Sequence, residues 1–204
     1  IFLDRFSGGF HNLTPYDVYS SYMTDSDVVD DNNLILCAPD SGAVPFALQV
    51  QENLGAKNIP LMVMAKERTD ERGVRVHVSK TSDVGLDEIR GKDIVVVDDM
   101  VRTGNTIVET CKLIREYNPN KVVFFVTHFY SSREGRINLN DPAIDEIVTT
   151  NTIPQILNRD MQGRLRSKMV VLLRERGISN YLIELAGGPS GTLSGPLYRE
   201  DMSA

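Results

Sequence analysis

Short, continuous runs of apolar residues alternate along the chain with segments whose apolar positions follow a helical period. Strands that are buried on both faces give runs of this kind, because neither face of the strand meets water. The runs predict strands at 33–39, 60–66, 93–97, 121–129 and 167–173, with a further strand and a short helix within 143–154. Helical spacing predicts one helix over 41–55 and another from 105 to the Asn118–Pro119 stop.

The alternation of strands and helices predicts an α/β fold with a doubly wound, mainly parallel sheet. A chain of 204 residues is long enough for one large domain. No apolar run approaches the roughly 20 residues that cross a bilayer, so no membrane partner is expected. In open α/β sheets ligands bind at the carboxyl ends of the strands, which makes the residues after each strand the first candidates for a site.

Two adjacent acids, Asp98 and Asp99, come directly after the apolar run at 93–97. Carboxylates at the end of a buried strand are costly unless another group uses them. Their place at a carboxyl end makes them candidate acceptors for hydroxyl groups of a ligand.

The loop that follows the acid pair has donors for a phosphate. Gly104 permits a tight turn, and free amides at a helix start favour an anion. Thr103 and Thr106 add hydroxyl donors on either side of Asn105. A phosphate beside neighbouring hydroxyls describes ribose 5-phosphate, with the loop on the phosphate and the acids on the 2- and 3-hydroxyls. The alternative is structural: Asp99 helps to start the helix, and Thr103 or Asn105 caps it.

Composition narrows the remaining classes of function. The net charge of −6 argues against a nucleic-acid partner, which needs a basic face. The P-loop and dinucleotide-binding patterns do not fit this loop, since neither Gly-Lys-Ser/Thr nor G-x-G-x-x-G is present. Cys37 and Cys111 lie in apolar segments, which favours buried free thiols in a cytoplasmic protein over a disulfide or a metal site.

The apolar strand, the acid pair and the loop "VRTGNT" together resemble the ribose-phosphate loop of the type I phosphoribosyltransferase fold. That loop is shared by phosphoribosyltransferases and by phosphoribosyl diphosphate synthetases, also called ribose-phosphate diphosphokinases. Three further segments resemble the synthetases: "APDSGAVPFALQVQENLGA", "AKERTDERGVRVHV" and "IVTTNTIP". The last is the most discriminating, because transferases usually lack it. The resemblance runs from residue 1 to about residue 155.

This resemblance implies transfer of diphosphate from ATP to the 1-hydroxyl of ribose 5-phosphate. It assigns Lys66 and Arg68 to the moving diphosphate, at the start of a flap, and an ammonium and a guanidinium fork suit phosphate oxygens. Without the resemblance, the flap would be an ordinary solvated hairpin. It also implies Mg²⁺, with Asp40 as the candidate ligand. The alternative role for Asp40 is to cap the following helix.

The sugar-binding residues that the resemblance implies are Asp98, Asp99, Arg102, Thr103, Gly104, Asn105 and Thr106. Arg102 departs from the family, which usually has Asp or a small residue there. Its guanidinium could meet an additional phosphate or point into solvent. His128 matches a Thr-His pair of the family and would either touch the ligand or pack at a strand end.

Phe6 stands where most synthetases have a metal-associated His, which keeps open a non-catalytic regulatory paralogue as one alternative. A phosphoribosyltransferase that consumes the same sugar diphosphate is the other. The resemblance divides the chain into the end of a largely missing N-terminal half (1–25) and a C-terminal phosphoribosyltransferase-like domain (26–186). The Gly and Pro content of 187–204 predicts a flexible tail. The resemblance also implies a homo-oligomer, a dimer or a hexamer, with adenine-binding residues in the missing part.

Overall fold

The computed structural model describes residues 11–26, 28–30, 32–55, 59–68, 74–130, 132–158, 162–189, 191, 193–195 and 199–200. Within these residues, eight strands form one sheet with the spatial order β3-β2-β1-β4-β5-β6-β7-β8. The strands are β1 (Leu34–Ala38), β2 (Leu61–Arg68), β3 (Val74–Val78), β4 (Asp93–Val101), β5 (Lys121–Phe129), β6 (Glu146–Thr150), β7 (Met169–Leu173) and β8 (Arg199–Glu200).

Neighbouring strands are parallel from β2 through β7, and the sheet has an antiparallel strand at each edge. β2 pairs antiparallel with β3, and β7 pairs antiparallel with β8. The predicted α/β class with a mainly parallel sheet is confirmed. The α-helices whose bounds fall among the described residues are α1 (Tyr16–Asp25), α2 (Val44–Asn53), α3 (Asn105–Arg115), α4 (Arg133–Leu139) and α5 (Glu175–Leu185).

The sheet is covered on both faces, as its continuous apolar strands predicted. All five residues of β1 are buried, and successive side chains enter opposite cores. Ile35 and Cys37 join the core that α3 covers, while Leu36 joins the core that α1 and α2 cover. The other cysteine, Cys111 on α3, is also buried and free, which confirms the prediction of free thiols. Among the residues described, no helix combines the length and apolar character needed to cross a membrane.

The first described helix shares its core with the sheet. Tyr19 of α1 packs edge-on against Phe125 of β5, with 5.2 Å between the ring centroids. At the other end of the chain, Arg199–Glu200 pairs with β7. The division of the chain at residues 25 and 187 stays a prediction.

Three features differ from the sequence predictions. The strand predicted at 93–97 continues to Val101, because β5 extends alongside it and pairs Met100 with His128 and Val101 with Phe129. The short helix predicted within 143–154 is wrong: the α-helix of this region is α4, ten residues earlier, and Pro154–Leu157 forms a 3₁₀ turn. β7 begins at Met169, since the two residues before it belong to another 3₁₀ turn.

Candidate functional site

The acid pair lies within β4, beyond the end of β1, at the carboxyl edge of the sheet. Asp98 is half-buried, whereas Asp99 is exposed. The backbone amide of Asp99 donates to Asp98 Oδ1 at 2.9 Å. Asp99 lies in a strand, six residues before α3 begins, so it does not start that helix.

The Asp98 carboxyl group is strongly perturbed. Burial, together with the negative charges of Asp99 and Asp40, raises its pKa to about 7 against the lowering effect of the Asp99 amide. A hydroxyl donor or a cation would stabilise the ionised form of Asp98, because either compensates for the hydration lost on burial. The pair is therefore suited to accept hydrogen bonds from a polyhydroxyl ligand.

The loop between β4 and α3 turns at Gly104, which has a φ of +71° and precedes the first residue of α3. Only glycine adopts this left-handed conformation without strain. No side-chain hydrogen bond caps α3 within the described residues, so the capping alternative for Thr103 and Asn105 is wrong. The first amides of α3 are thus left for another acceptor, and an anion is favoured there.

Helix α4 fixes the shape of this loop, a function that the sequence did not reveal. Asn138 Nδ2 donates to the Thr103 carbonyl at 3.1 Å and to Asn105 Oδ1 at 2.7 Å. The packing is close: a Cβ on Gly135 would lie 2.2 Å from the Arg102 carbonyl oxygen. The only local signal was Ser132, whose hydroxyl accepts the Gly135 amide as an N-cap.

Lys66 and Asp40 meet at the same edge of the sheet, from β2 and from the turn after β1. Lys66 Nζ donates to Asp40 Oδ2 at 2.7 Å, and the Gly42 amide donates to Asp40 Oδ1 at 2.9 Å. Burial alone would raise the pKa of Asp40, but the hydrogen bond and charge of Lys66 hold it below its usual range. α2 begins only at Val44, without a side-chain cap, so Asp40 shapes the preceding turn instead of capping that helix.

The other predicted residues of this region are less completely described. Arg68 is the last residue of β2, and its side chain lies outside the described part of the structure. β2 and β3 pair antiparallel, and the choice between a flap and an ordinary hairpin stays a prediction. The segment 69–73 that joins these strands and Phe6 are also outside the described residues. His128 is exposed at the end of β5, and its Nδ1 lies 2.9 Å from Thr152 Oγ1.

The predicted residues are therefore brought together from three neighbouring strands. Asp40 follows β1, Lys66 lies on β2 and the acid pair lies on β4, and β1 sits between the other two strands. Asp40 and Asp98 are also coupled electrostatically, since the negative charge of Asp40 raises the pKa of Asp98. No group of three metal-ligating side chains occurs among the described residues. Mg²⁺ does not require such a group when phosphates supply the remaining ligands.

A cavity of about 430 Å³ borders the loop between β4 and α3 on the side toward β5 and β6, away from Asp40 and Lys66. Its walls come from the loop itself, the end of β5, helix α4 and the segment after β6. The lining side chains include Arg102, Phe129, Tyr130, Arg136, Ile153 and Ile156.

Comparison with known proteins gives consistent matches. A family model for the phosphoribosyl transferase domain matches residues 20–159. A ribose-phosphate pyrophosphokinase of Xylella fastidiosa is 30% identical over 149 residues, which cover 72% of this chain and 44% of that protein. One from Pyrococcus abyssi is 33% identical over 152 residues, which cover 74% of this chain and 48% of that protein.

Among solved structures, the crystal structure of phosphoribosylpyrophosphate synthetase from Mycobacterium smegmatis matches with a TM-score of 0.66 and 26% sequence identity. The match covers 85% of this chain and 51% of that chain. The chain thus spans about half the length of these relatives.

Proposed function

This chain belongs to the phosphoribosyl transferase domain family, and from that premise we propose that it transfers diphosphate from ATP to the 1-hydroxyl of ribose 5-phosphate or of a related ribose 5-phosphate terminus. The products are phosphoribosyl diphosphate and AMP. The similarity to ribose-phosphate pyrophosphokinases supports this reaction over consumption of the same sugar diphosphate by a phosphoribosyltransferase. The resemblance predicted from the sequence is confirmed at the level of the family.

In the proposed reaction the 1-hydroxyl oxygen attacks the β-phosphorus of ATP. A bond forms between that oxygen and the β-phosphorus, while the bond from the β-phosphorus to the α–β bridging oxygen breaks. AMP leaves with the bridging oxygen, and the hydroxyl proton passes to the surrounding water or a nearby base. Little covalent chemistry is left for the protein, so catalysis consists mainly of positioning and charge stabilisation.

The proposed roles of the residues are supported by the family resemblance and by their places at the sheet edge. Asp98 and Asp99 accept hydrogen bonds from the sugar 2- and 3-hydroxyls. The loop from Thr103 to Thr106 holds the 5-phosphate with backbone amides and hydroxyls. Lys66, together with Arg68 at the end of the same strand, stabilises the charge of the moving diphosphate.

Mg²⁺ is part of the proposal, and the donor set suits it. Asp40 supplies hard carboxylate oxygens, which Mg²⁺ prefers, and the triphosphate would supply further oxygen ligands. The raised pKa of Asp98, caused by burial and by its acidic neighbours, marks a concentration of negative charge that a divalent cation would relieve. The ion would neutralise the triphosphate charge, and Asp40 is the residue proposed to hold it. The ion would then replace Lys66 as the partner of the Asp40 carboxylate, and Lys66 would be released toward the diphosphate.

The observation that carries the proposal is the contact of Lys66 with Asp40 beside the acid pair. Lys66, proposed to bind the diphosphate, and Asp40, proposed to bind the metal, thus lie next to the carboxylates proposed to bind the sugar. The test is to incubate the protein with ATP, Mg²⁺ and ribose 5-phosphate and to measure AMP. AMP release that depends on the sugar is the expected result. Binding of the sugar phosphate without any AMP would instead favour a non-catalytic partner of a synthetase.

A homo-oligomer, either a dimer or a hexamer, and a cytoplasmic location remain parts of this proposal. Their support is the family resemblance, together with the free state of both cysteines in the case of the location. Sedimentation of the purified protein would measure the oligomeric state directly.

A further inference from the structure

We propose that the cavity beside the phosphate loop receives a second phosphate and an aromatic group, so that the preferred acceptor is a ribose 5-diphosphate ester and not plain ribose 5-phosphate. The inference rests on the proposed function, because it assigns the loop to the 5-phosphate. It adds the part of the acceptor that lies beyond that phosphate.

The position of the cavity follows from the strand order. The reacting centre, with Asp40 and Lys66, lies on the side of β4 toward β1 and β2, whereas the cavity lies toward β5 and β6. Arg102 and Thr103 belong both to the phosphate loop and to the cavity wall. A sugar whose 1-hydroxyl points to Lys66 and whose 5-phosphate rests on the loop therefore continues into the cavity through its 5-phosphate.

The charge of the cavity suits an additional phosphate. Arg102 from the loop and Arg136 from α4 both line it, and none of its described lining residues is acidic. Arg102 is exposed and forms no ion pair with any described residue. Guanidinium groups bind phosphate oxygens through a planar fork, so two of them beside the loop would hold a phosphate directly joined to the first.

The remaining wall suits a ring more than another charge. Phe129 and Ile156 are almost fully buried beneath the cavity, while Tyr130 is 60% exposed and borders it. Pockets of roughly 300–1,000 Å³ with apolar walls and a few polar groups are typical of sites for small organic ligands. An aromatic group such as a nucleobase would fill the space that a second phosphate alone leaves open.

Contacts with α4 and its N-cap fix the backbone of the cavity wall at Arg102. The backbone amide of Ser132 donates to the Arg102 carbonyl at 3.2 Å, and Gly135 packs against that same carbonyl. Helix α4 therefore holds the Arg102 backbone in place while its side chain remains exposed. A preformed wall of this kind lowers the entropic cost of ordering a bound ligand.

ADP-ribose is the probe that tests the proposal, since its terminal ribose has a free 1-hydroxyl and a 5-diphosphate joined to adenosine. Calorimetry without ATP would compare its binding with that of ribose 5-phosphate. We expect ADP-ribose to bind about tenfold more tightly and to displace ribose 5-phosphate, as expected for added charge-assisted contacts. With ATP and Mg²⁺, it should also release AMP.

Two variants and a control locate the effect. Arg102→Asp and Arg136→Gln should each lower the ratio of ADP-ribose affinity to ribose 5-phosphate affinity by about tenfold. Arg133→Gln is the matched control, because this arginine is on the same helix and borders a neighbouring cavity that Arg136 also borders, but it does not line the cavity beside the loop. It should leave the ratio unchanged. ADP, which shares the diphosphate and adenosine but has no terminal ribose, should bind more weakly than ADP-ribose.

The outcomes separate this inference from the proposed function. Equal or weaker binding of ADP-ribose, or ratios that neither arginine variant changes, would overturn the inference even if ribose 5-phosphate yields AMP. ADP-ribose that binds without displacing ribose 5-phosphate would also overturn it, because the cavity would then be a separate site. If neither acceptor yields AMP, the proposed function fails, and the affinity ratios still decide the identity of the ligand.

Discussion

Lys66 Nζ lies 2.7 Å from Asp40 Oδ2, so the cation proposed for the diphosphate and the carboxylate proposed for the metal are paired with each other. Their side chains are 42% and 29% exposed. Exposed ion pairs contribute only about 0–1 kcal/mol to stability. The two groups can therefore separate cheaply when a triphosphate and a divalent cation offer each of them a stronger partner.

This weak coupling leads to the first prediction, for Lys66→Ala. We expect turnover to fall by roughly 10²–10³, as for the loss of one preplaced charge stabiliser. The free energy of unfolding should change by no more than about 1 kcal/mol, because the lost pair is exposed. AMP release and thermal unfolding measure the two effects separately. Lys80→Ala, in the exposed turn after β3, is the control for removal of a surface lysine. Near-normal turnover in the Lys66 variant would exclude the assigned role.

A second prediction concerns the sugar hydroxyls. Asp99→Asn should weaken binding of ribose 5-phosphate much more than binding of ATP, because the exposed carboxylate is proposed to accept hydrogen bonds only from the sugar. Hydrogen bonds to charged groups contribute about 1.5–3 kcal/mol, so a loss of about tenfold or more in sugar affinity is expected. Calorimetric titration of each ligand alone measures both affinities. Equal losses for the two ligands would mean that Asp99 has a structural role.

The site could be predicted from the sequence only where its parts are local. The strand, the acid pair and the glycine turn are consecutive, so residues 93–106 were identified as one unit. The pairing of Lys66 with Asp40 could not be predicted from the sequence, because it depends on β2 lying beside β1. The strand predicted from the sequence was also shorter than β4, since the extension of β4 depends on pairing with β5, 28 residues farther along the chain.

The support of the loop by α4 was missed for the same physical reason. In the sequence, Gly135 is only an unfavourable helix residue. The fold shows why glycine is required, because a Cβ at this position would collide with the Arg102 carbonyl oxygen. Asn138 likewise reads as an ordinary polar residue until the fold brings its amide to Thr103 and Asn105. Contacts of this kind join residues about 30 positions apart, and no local pattern encodes them.

The third prediction follows from the pKa of Asp98, which burial and the neighbouring carboxylates together raise from 3.8 to about 7. The folded chain then keeps a proton that the unfolded chain releases. The resulting contribution to stability is fully present below about pH 4 and is lost as the pH rises through about 7. Asp98→Asn cannot ionise and keeps an oxygen for the Asp99 amide. We therefore expect its melting temperature to rise relative to the parent protein between about pH 5 and about pH 8.

Thermal unfolding over this range measures the effect, in the absence of Mg²⁺ and sugar phosphate so that no ligand compensates the charge. Asp87→Asn removes an exposed acid from the 3₁₀ turn Leu86–Ile89 and is the control for a lower net charge. A difference between the Asp98 variant and the parent protein that is independent of pH would contradict the raised pKa.

The last prediction compares two glycines with the same backbone conformation. Gly104 and Gly91 have φ values of +71° and +70°, but a Cβ at Gly104 would lie 2.7 Å from Leu139, whereas a Cβ at Gly91 would meet nothing within 4 Å. Gly91→Ala should therefore cost only the left-handed strain, about 1–2 kcal/mol. Gly104→Ala should cost about 1–3 kcal/mol more, because Leu139 must move. It should also weaken ribose 5-phosphate binding, since α4 and the loop shift together. Chemical unfolding and calorimetry measure both quantities, and equal costs for the two substitutions would show that α4 does not constrain the loop.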